Sequence, residues 1–273
     1  MSLNANDYIP KGLIIGLGGG AFPMLLQKYI PALHMIICDL DPDMEDIASS
    51  NFFFKKNSNM SMVYDDGVKV IQCIHNQLHN NTSNDKNDDN TNQSNDSNTV
   101  ENVLKSINRP LDFVFIDVDS KDPALGLSAP PKEFIDSITL SLMYNIITTN
   151  GICIFNVAAR VKSELDAFLK RLVQAWTCHD NQAKIFMIKA SEETSNLIVI
   201  ALKLPPPLLL SSVFVNTDTK KSKSKGYSDT TITNRNLTLE SIMENWLKMI
   251  SLPSDPLKLL NKINKIIEID DRK

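Results

Sequence analysis

A short apolar run that ends in a cluster of glycines constrains the fold of this 273-residue chain more than any other feature. Residues 12–23 read GLIIGLGGGAFP. The first four predict a buried strand, and residues 22–29 predict a helix that tolerates Pro23 in its first turn. Glycines at such a junction allow a sharp turn and a close approach to a ligand, whose anionic group can lie at the helix N-terminus.

The alternation of apolar runs and helical segments continues along the chain. Strands are predicted at 34–39, 60–67, 111–119 and 152–158, and the runs 184–190 and 196–203 predict an antiparallel hairpin. Helices are predicted at 41–53, 68–78, 100–107 and 161–176, with a further long helix that stops at Asn150. This alternation predicts an α/β, Rossmann-like fold: a mostly parallel sheet with an antiparallel C-terminal hairpin and helices on both faces.

Composition narrows the classes of function. The chain is 42% hydrophobic and carries 28 basic and 32 acidic residues, a formal net charge of -4, so general affinity for nucleic acid is not expected. No stretch is long and apolar enough to span a bilayer, and the N-terminus does not have the apolar core of a signal peptide. The four cysteines form no C-x-x-C pair. We therefore expect a reducing compartment, with the cytoplasm as the default.

The chain divides into three regions by composition. Residues 1–203 form the predicted ligand-binding domain, interrupted at 76–99 by an insert of mostly Asn, Asp, Ser and Thr that we predict to be disordered. Residues 204–235 predict a low-complexity linker. The remainder, 236–273, predicts two helices at 237–250 and 256–269.

Acidic residues stand at the ends of the predicted parallel strands, where doubly wound sheets bind ligands. Asp39 ends the second strand and can accept hydrogen bonds from a ribose diol, in a dinucleotide or in S-adenosylmethionine, while Asp41 suits the N-cap of the next helix. Asp66 can accept the amine of adenine, which favours S-adenosylmethionine. The alternative for Asp66 is a turn and a helix cap.

The fourth strand is followed by the acids Asp117, Asp119 and Asp122. Crowded carboxylates are unfavourable unless a cation compensates them, and the candidates are a sulfonium or an amine. A metal is less favoured because no histidine lies nearby in the sequence. The alternative is a loop whose acids cap its own backbone.

Four segments together resemble the spermidine-synthase-like class I methyltransferases: LIIGLGGGAFPMLL, IICDLDPDM, VYDDGVKVI and FVFIDVDSKDPALGLSAPP. Within that family they are most similar to the enzymes that methylate lysine and N-terminal amines of translation elongation factor 1-alpha. The resemblance covers residues 12–203, and DVDSKDP followed by LGLSAPP is its most specific part. Members normally carry strands and a helix ahead of the first strand, which help to close the cofactor cleft. Here the first strand begins almost at the start of the sequence, so we expect either a truncated chain or a second polypeptide that supplies this cover.

The resemblance implies a seven-stranded sheet, S-adenosylmethionine as cofactor and a protein amine as acceptor. It implies that Gly16, Gly18 and Gly20 cradle the methionine end of the cofactor. Asp39 would hold the ribose and Asp66 the adenine, and Leu40 and Gly67 would also contact the cofactor. Asp117 would be the catalytic residue at the acceptor pocket, also bordering the cofactor, with Asp119 and Asp122 contacting substrate. No metal is expected. A polyamine aminopropyltransferase and a non-catalytic binding domain remain alternatives.

Overall fold

The predicted apolar strands pair into one sheet in the computed structural model of the protein. The structure describes residues 8–80, 103–104, 107–122, 124–180, 183–189, 196–204 and 266–269. Nine strands lie within these ranges: β1 Lys11–Ile15, β2 His34–Asp39, β3 Met60–Tyr64, β4 Leu111–Ile116, β5 Leu127–Ala129, β6 Ile147–Ala159, β7 Ala183–Lys189, β8 Asn196–Lys203 and β9 Ile266–Ile269. The helices of the same ranges are α1 Ala21–Tyr29, α2 Asp43–Phe52, α3 Gly67–Asn80, α4 Ser137–Ile146 and α5 Lys162–Asp180, with a short 3₁₀ turn at Lys132–Phe134.

The strand order is β3-β2-β1-β4-β6-β8-β7-β9, and β5 pairs with the end of β6. The first five strands of that order are parallel, whereas β8, β7 and β9 each pair antiparallel with their neighbours. The predicted fold class is therefore confirmed. The seven expected strands form the continuous part of the order, and β5 and β9 are additions to it. The order reverses at β1, which lies between β2 and β4, and such a reversal is where doubly wound sheets place their ligand.

Two apolar layers cover the sheet. One face packs against α3, α4 and α5 around the fully buried Trp176, Phe168 and Phe155. The other face packs against α1 and α2, with Phe113 and Phe115 of β4 at its centre. All six residues of β4 are buried, as expected for a central parallel strand covered on both sides. Helices on both faces leave the strand ends as the accessible edges of the sheet.

Two predicted boundaries on the central part of the chain are wrong. The helix expected to reach Asn150 ends at Ile146, because Ile147 already pairs with Leu111 as the first residue of β6, and the backbone turns at Asn150 with a φ of 68°. The insert expected from residue 76 begins later, because α3 continues to Asn80. Leu78 packs against the core, and the Gln77 side chain donates to the carbonyl of Ile107 at 3.0 Å, which extends the helix.

The C-terminal region differs from its prediction where the structure describes it. Residues Ile266–Ile269 form β9 rather than the end of a helix, because the β-branched sequence IIEI pairs antiparallel with the edge of β7. The predicted linker, the helix at 237–250 and most of the Asn-rich insert lie outside the described residues, and so does most of the helix predicted at 100–107. Within the described ranges, no helix has both the length and the hydropathy needed to cross a membrane.

Candidate functional site

The loop between β1 and α1 has the backbone that its glycines predict. Gly16, Gly18 and Gly20 have φ angles of 97°, 51° and 72°, in the left-handed range that residues with a Cβ rarely adopt. A Cβ on Gly16 would lie 2.2 Å from the carbonyl oxygen of Asp117, so close packing against the β4 loop requires glycine there. A Cβ on Gly18 would meet no atom within 4 Å. The loop is therefore packed at Gly16 and open at Gly18.

Asp39 lies beside this loop at the end of β2. Its Oδ2 accepts from the backbone N–H of Leu17 at 2.8 Å, and its Oδ1 accepts from the backbone N–H of Asp41 at 3.1 Å. The carboxylate is half-buried and joins the glycine loop to the start of α2. Each of its oxygens has a second lone pair, so the group can still accept hydroxyl donors from a ligand. The side chain of the next residue, Leu40, is 75% exposed.

The acids after β3 are engaged with α3. Asp66 Oδ1 accepts from the backbone N–H of Val68 at 2.7 Å and, more weakly, from that of Lys69 at 3.4 Å, so Asp66 caps the helix. This is the cap that the sequence offered as the alternative to adenine binding. Its neighbour Asp65 pairs with the Lys69 ammonium at 2.9 Å, and that hydrogen bond lowers the pKa of the Asp65 carboxyl.

Gly67 is required by packing within the protein. A Cβ at this position would lie 2.6 Å from Cγ2 of Ile15 and 3.0 Å from the ring of Phe134. Gly67 is buried, whereas Asp66 is exposed. The first turn of α3 therefore lies directly over the end of β1, next to the glycine loop.

Asp117, the first residue after β4, has a partner that sequence reasoning missed. Its Oδ1 accepts from the side-chain Nδ2 of Asn156 on β6 at 2.7 Å. Asp117 is exposed and Asn156 is half-buried. The only signal in the sequence was a single amide within the apolar run ICIFNVA, and its neighbour in space depends on the order of the strands.

Asp119 and Asp122 are used by their own loop. Asp119 Oδ1 accepts from the backbone N–H of Lys121, and Asp122 Oδ1 accepts from that of Ala124, both at 2.9 Å. Both side chains are exposed. The family resemblance implies substrate contacts for these acids, whereas their hydrogen bonds are those of the alternative, a loop that caps its own backbone.

Backbone hydrogen bonds beyond the strands bring the predicted residues to one edge of the sheet. The N–H of Gly16 donates to Cys38 O and the N–H of Asp117 donates to Ile15 O, both at 2.8 Å. The N–H of Asp65 donates to Asp39 O at 3.2 Å. The ends of β1, β2, β3 and β4 are thus joined side by side. Beneath them, burial raises the pKa of the Cys38 thiol to about 12, so this cysteine is protonated and unreactive at neutral pH.

Two further features of the described residues lie apart from this edge. A cavity of about 70 Å³ opens at the opposite, amino-terminal edge of the sheet, where Lys11, His34 and Ser61 line it. Within the described ranges, no group of three or more His, Cys, Asp or Glu side chains is arranged to hold a metal ion.

The strand order, with its reversal at the glycine loop and its antiparallel C-terminal strands, defines a Rossmann-like fold of the class I methyltransferase type. The crystal structure of human methyltransferase-like protein 13 in complex with SAH has this fold: it superposes with a TM-score of 0.55 at 19% identity, covering 97% of this chain and 87% of that one. In sequence, the chain is 28% identical over 186 residues to the eEF1A lysine and N-terminal methyltransferase of Xenopus laevis. It is 25% identical over 223 residues to the protein of the same name from Homo sapiens. The resemblance expected from the motifs is confirmed.

These similarities cover most of this chain but a small part of the relatives. The match includes 68% of this chain and 22% of the Xenopus laevis protein, and 80% and 27% for the human one. The chain therefore spans about a quarter of the length of the curated relatives it matches. No protein-family model matches it.

Proposed function

We propose that this chain is an S-adenosylmethionine-dependent methyltransferase that acts on an amine of a protein. The observation that carries the proposal is the open glycine loop beside a fixed carboxylate: Gly18 has space on its side-chain face, and Asp39 is hydrogen-bonded to Leu17 of the same loop. A nucleoside cofactor with a charged amino-acid end needs this combination, a backbone it can approach closely and an acceptor for its ribose hydroxyls.

The residues of the carboxyl edge fit S-adenosylmethionine. The space at Gly18 suits the methionine end, because a Cβ there would fill the cradle. Asp39 suits the ribose. The Asp66 oxygen that does not cap α3 suits the adenine amine, with Leu40 as an exposed apolar side chain next to the base. When bound, this cofactor supplies an electrophilic methyl group on a sulfonium.

The protein's own contribution to the transfer is alignment of the acceptor. An amine attacks only through an unprotonated lone pair. A protein α-amine has an ordinary pKa of about 7.7–8.0, against about 10.4 for a lysine side chain, so it is far easier to present neutral. Asp117 would accept an N–H of the neutral amine and turn its lone pair toward the methyl group.

The acceptor that we propose is translation elongation factor 1-alpha. This proposal is supported by the name of the relatives, eEF1A lysine and N-terminal methyltransferase. The exposed loop with Asp119 and Asp122 borders Asp117 and would meet such a substrate first. The described cysteines Cys38, Cys73 and Cys153 carry no disulfide, which suits the cytoplasm, where this factor acts in translation.

Transfer of a labelled methyl group tests the proposal. The chain is incubated with methyl-labelled S-adenosylmethionine and purified elongation factor 1-alpha, once with a free N-terminus and once with that amine acetylated. We expect label in the unblocked factor, and label that survives acetylation assigns the site to lysine. Putrescine with decarboxylated S-adenosylmethionine is the control for aminopropyl transfer. Cofactor binding without transfer to any amine would contradict the proposed activity.

A further inference from the structure

Asn156 lies where the apolar face of the sheet ends. On the face covered by α1 and α2, residues of β4 and β6 stand in register as two apolar pairs, Phe113 with Ile152 and Phe115 with Ile154. The next pair along the same face is Asp117 with Asn156. A polar cross-strand pair at the carboxyl edge, directly after two apolar ones, is the arrangement expected where a polar ligand must approach the sheet.

Asn156 and Asp117 differ in how firmly the surrounding structure fixes them. Asn156 lies within β6, opposite Ile198 of β8 and one residue past the last pair of β6 with β4, Phe155 with Ile116. Asp117 has left its strand and is exposed. Among the described residues, the only donor to its carboxylate is the Asn156 amide, at 2.7 Å. Without that bond, rotation about χ1 and χ2 would leave the carboxylate in several orientations.

We infer that Asn156 is a positioning residue that holds Asp117 in the orientation needed to align the acceptor amine. The inference rests on the proposed function. The amide occupies Oδ1 of Asp117, which leaves Oδ2 as the acceptor for an amine N–H. Asn156 itself need not touch the substrate. Its effect on the reaction passes entirely through Asp117.

A double-mutant cycle measures that dependence. Asn156→Leu keeps the branched shape of the side chain and removes the donor, so we expect kcat to fall about 10- to 100-fold, the effect of a misplaced catalytic group. The Kd of S-adenosylhomocysteine, measured by calorimetry, is expected to stay unchanged. In an Asp117→Ala background, the same Asn156 substitution is expected to change kcat no further, because the group it positions is gone.

Controls separate this role from folding. Asn108→Leu makes the same substitution at an exposed position on the amino-terminal edge and is expected to leave kcat unchanged. If the larger leucine disturbs the sheet, Asn156→Ala replaces Asn156→Leu as the test variant. Thermal unfolding of every variant is measured to detect a change in stability. If Asn156→Leu and Asn156→Ala lower kcat by the same factor with and without Asp117, the residue acts structurally and the inference is wrong.

A readout without turnover distinguishes failure of this inference from failure of the proposed function. In ¹⁵N-labelled protein, the side-chain amide protons of Asn156 are expected to shift when Asp117 is replaced by alanine, since one of them donates to the carboxylate. No shift would overturn the pairing whatever the enzyme does. A shift in a protein that transfers no methyl group would instead refute the proposed function and, with it, the catalytic role of the pair.

Discussion

Strand β4 carries an acid at each end, and the two have opposite environments. Asp112, near the start, is 2% exposed. It accepts from the backbone N–H of Lys11 at 2.7 Å, from Nη2 of Arg109 at 3.0 Å and from the hydroxyl of Tyr8. Asp117, just past the other end, is exposed and, among the residues that the structure describes, accepts one hydrogen bond, from Asn156.

The difference separates a structural carboxylate from the one for which we propose a function. Asp112 has its lone pairs engaged and fastens the segment before β1 to the start of β4, so it has little capacity for a ligand. Asp117 keeps acceptor capacity at the edge where the glycine loop opens. Both are aspartates beside the same apolar run, and the number of donors that surround each one, rather than the residue type, indicates its role.

Among the substitutions that test this contrast, removing the charge of Asp112 is expected to have the largest effect. Asp112→Asn leaves the Arg109 guanidinium without its buried partner, and breaking a buried pair in this way costs about 3 kcal/mol in the free energy of unfolding. Urea denaturation measures the loss. Asp117→Asn is the matched substitution and is expected to change that free energy by less than about 0.5 kcal/mol. Equal losses would show that the two acids do not differ in the way we describe.

Asp39→Ala tests whether the carboxyl edge of the sheet binds the cofactor. Hydrogen bonds to a charged group contribute about 1.5–3 kcal/mol, so we expect the Kd of S-adenosylhomocysteine to rise about 10- to 100-fold. Isothermal calorimetry measures it. The exposed α2 acid Asp46 provides the control, because Asp46→Ala removes the same charge nearby. An unchanged Kd for Asp39→Ala would show that Asp39 does not bind the ribose of the cofactor.

Substituting one glycine at the amino edge of the sheet and one at the carboxyl edge extends the comparison. Gly12→Ala puts a Cβ 2.1 Å from the Phe113 ring, so it is expected to destabilise the fold by about 1–3 kcal/mol and to leave ligand affinity unchanged in the folded protein. Gly18→Ala meets no protein atom and has only the left-handed backbone as a cost, about 1–2 kcal/mol. Its Cβ would occupy the ligand cradle, so its main effect is expected on cofactor affinity. Melting curves with and without S-adenosylhomocysteine distinguish the two patterns.

Local sequence signals predicted the parts of the fold that neighbouring residues determine. The glycine loop, the strands on either side of it and the Asp41 cap of α2 depend on segments of a few residues, and the Asp41 carboxylate indeed accepts from the N–H of Asp43 at 3.0 Å. The end of α4 was not predictable in this way. Ile147 leaves the helical pattern because Leu111, 36 positions earlier in the chain, offers it a strand partner.

The hydrogen-bond partners that distinguish Asp112 from Asp117 could not be predicted from the sequence either. Asp112 and Asp117 belong to the same run, LDFVFIDVD, and nothing within it distinguishes them. Of the partners of Asp112, Arg109 is close in the sequence, but Tyr8 and Lys11 are about 100 positions away. These two, and Asn156 as the partner of Asp117, are brought in by the order of β1, β4 and β6. The motifs predicted which residues meet at one edge of the sheet, but the donors around each carboxylate are a property of the assembled sheet.

The smallest expected effect concerns Tyr8 at the amino edge. Burial, reinforced by the hydrogen bond to Asp112, raises the pKa of Tyr8 to about 12 from an ordinary value of about 10. The folded protein therefore keeps this proton at a pH where the unfolded chain has lost it. The stability that Tyr8 contributes is complete below about pH 10 and declines as the pH rises toward about 12.

Tyr8→Phe isolates that contribution. At neutral pH we expect it to lower the free energy of unfolding by about 1 kcal/mol, the worth of one hydrogen bond. The difference in the free energy of unfolding between the wild type and Tyr8→Phe should narrow between about pH 10 and about pH 12. Tyr29→Phe, at an exposed tyrosine of α1, is the control and should leave the free energy of unfolding unchanged. A difference that stays constant across that range would contradict the raised pKa of Tyr8 and, with it, the buried hydrogen bond to Asp112. Asp112 would then keep two donors, the N–H of Lys11 and the guanidinium of Arg109, so its contrast with Asp117 would be smaller but would remain.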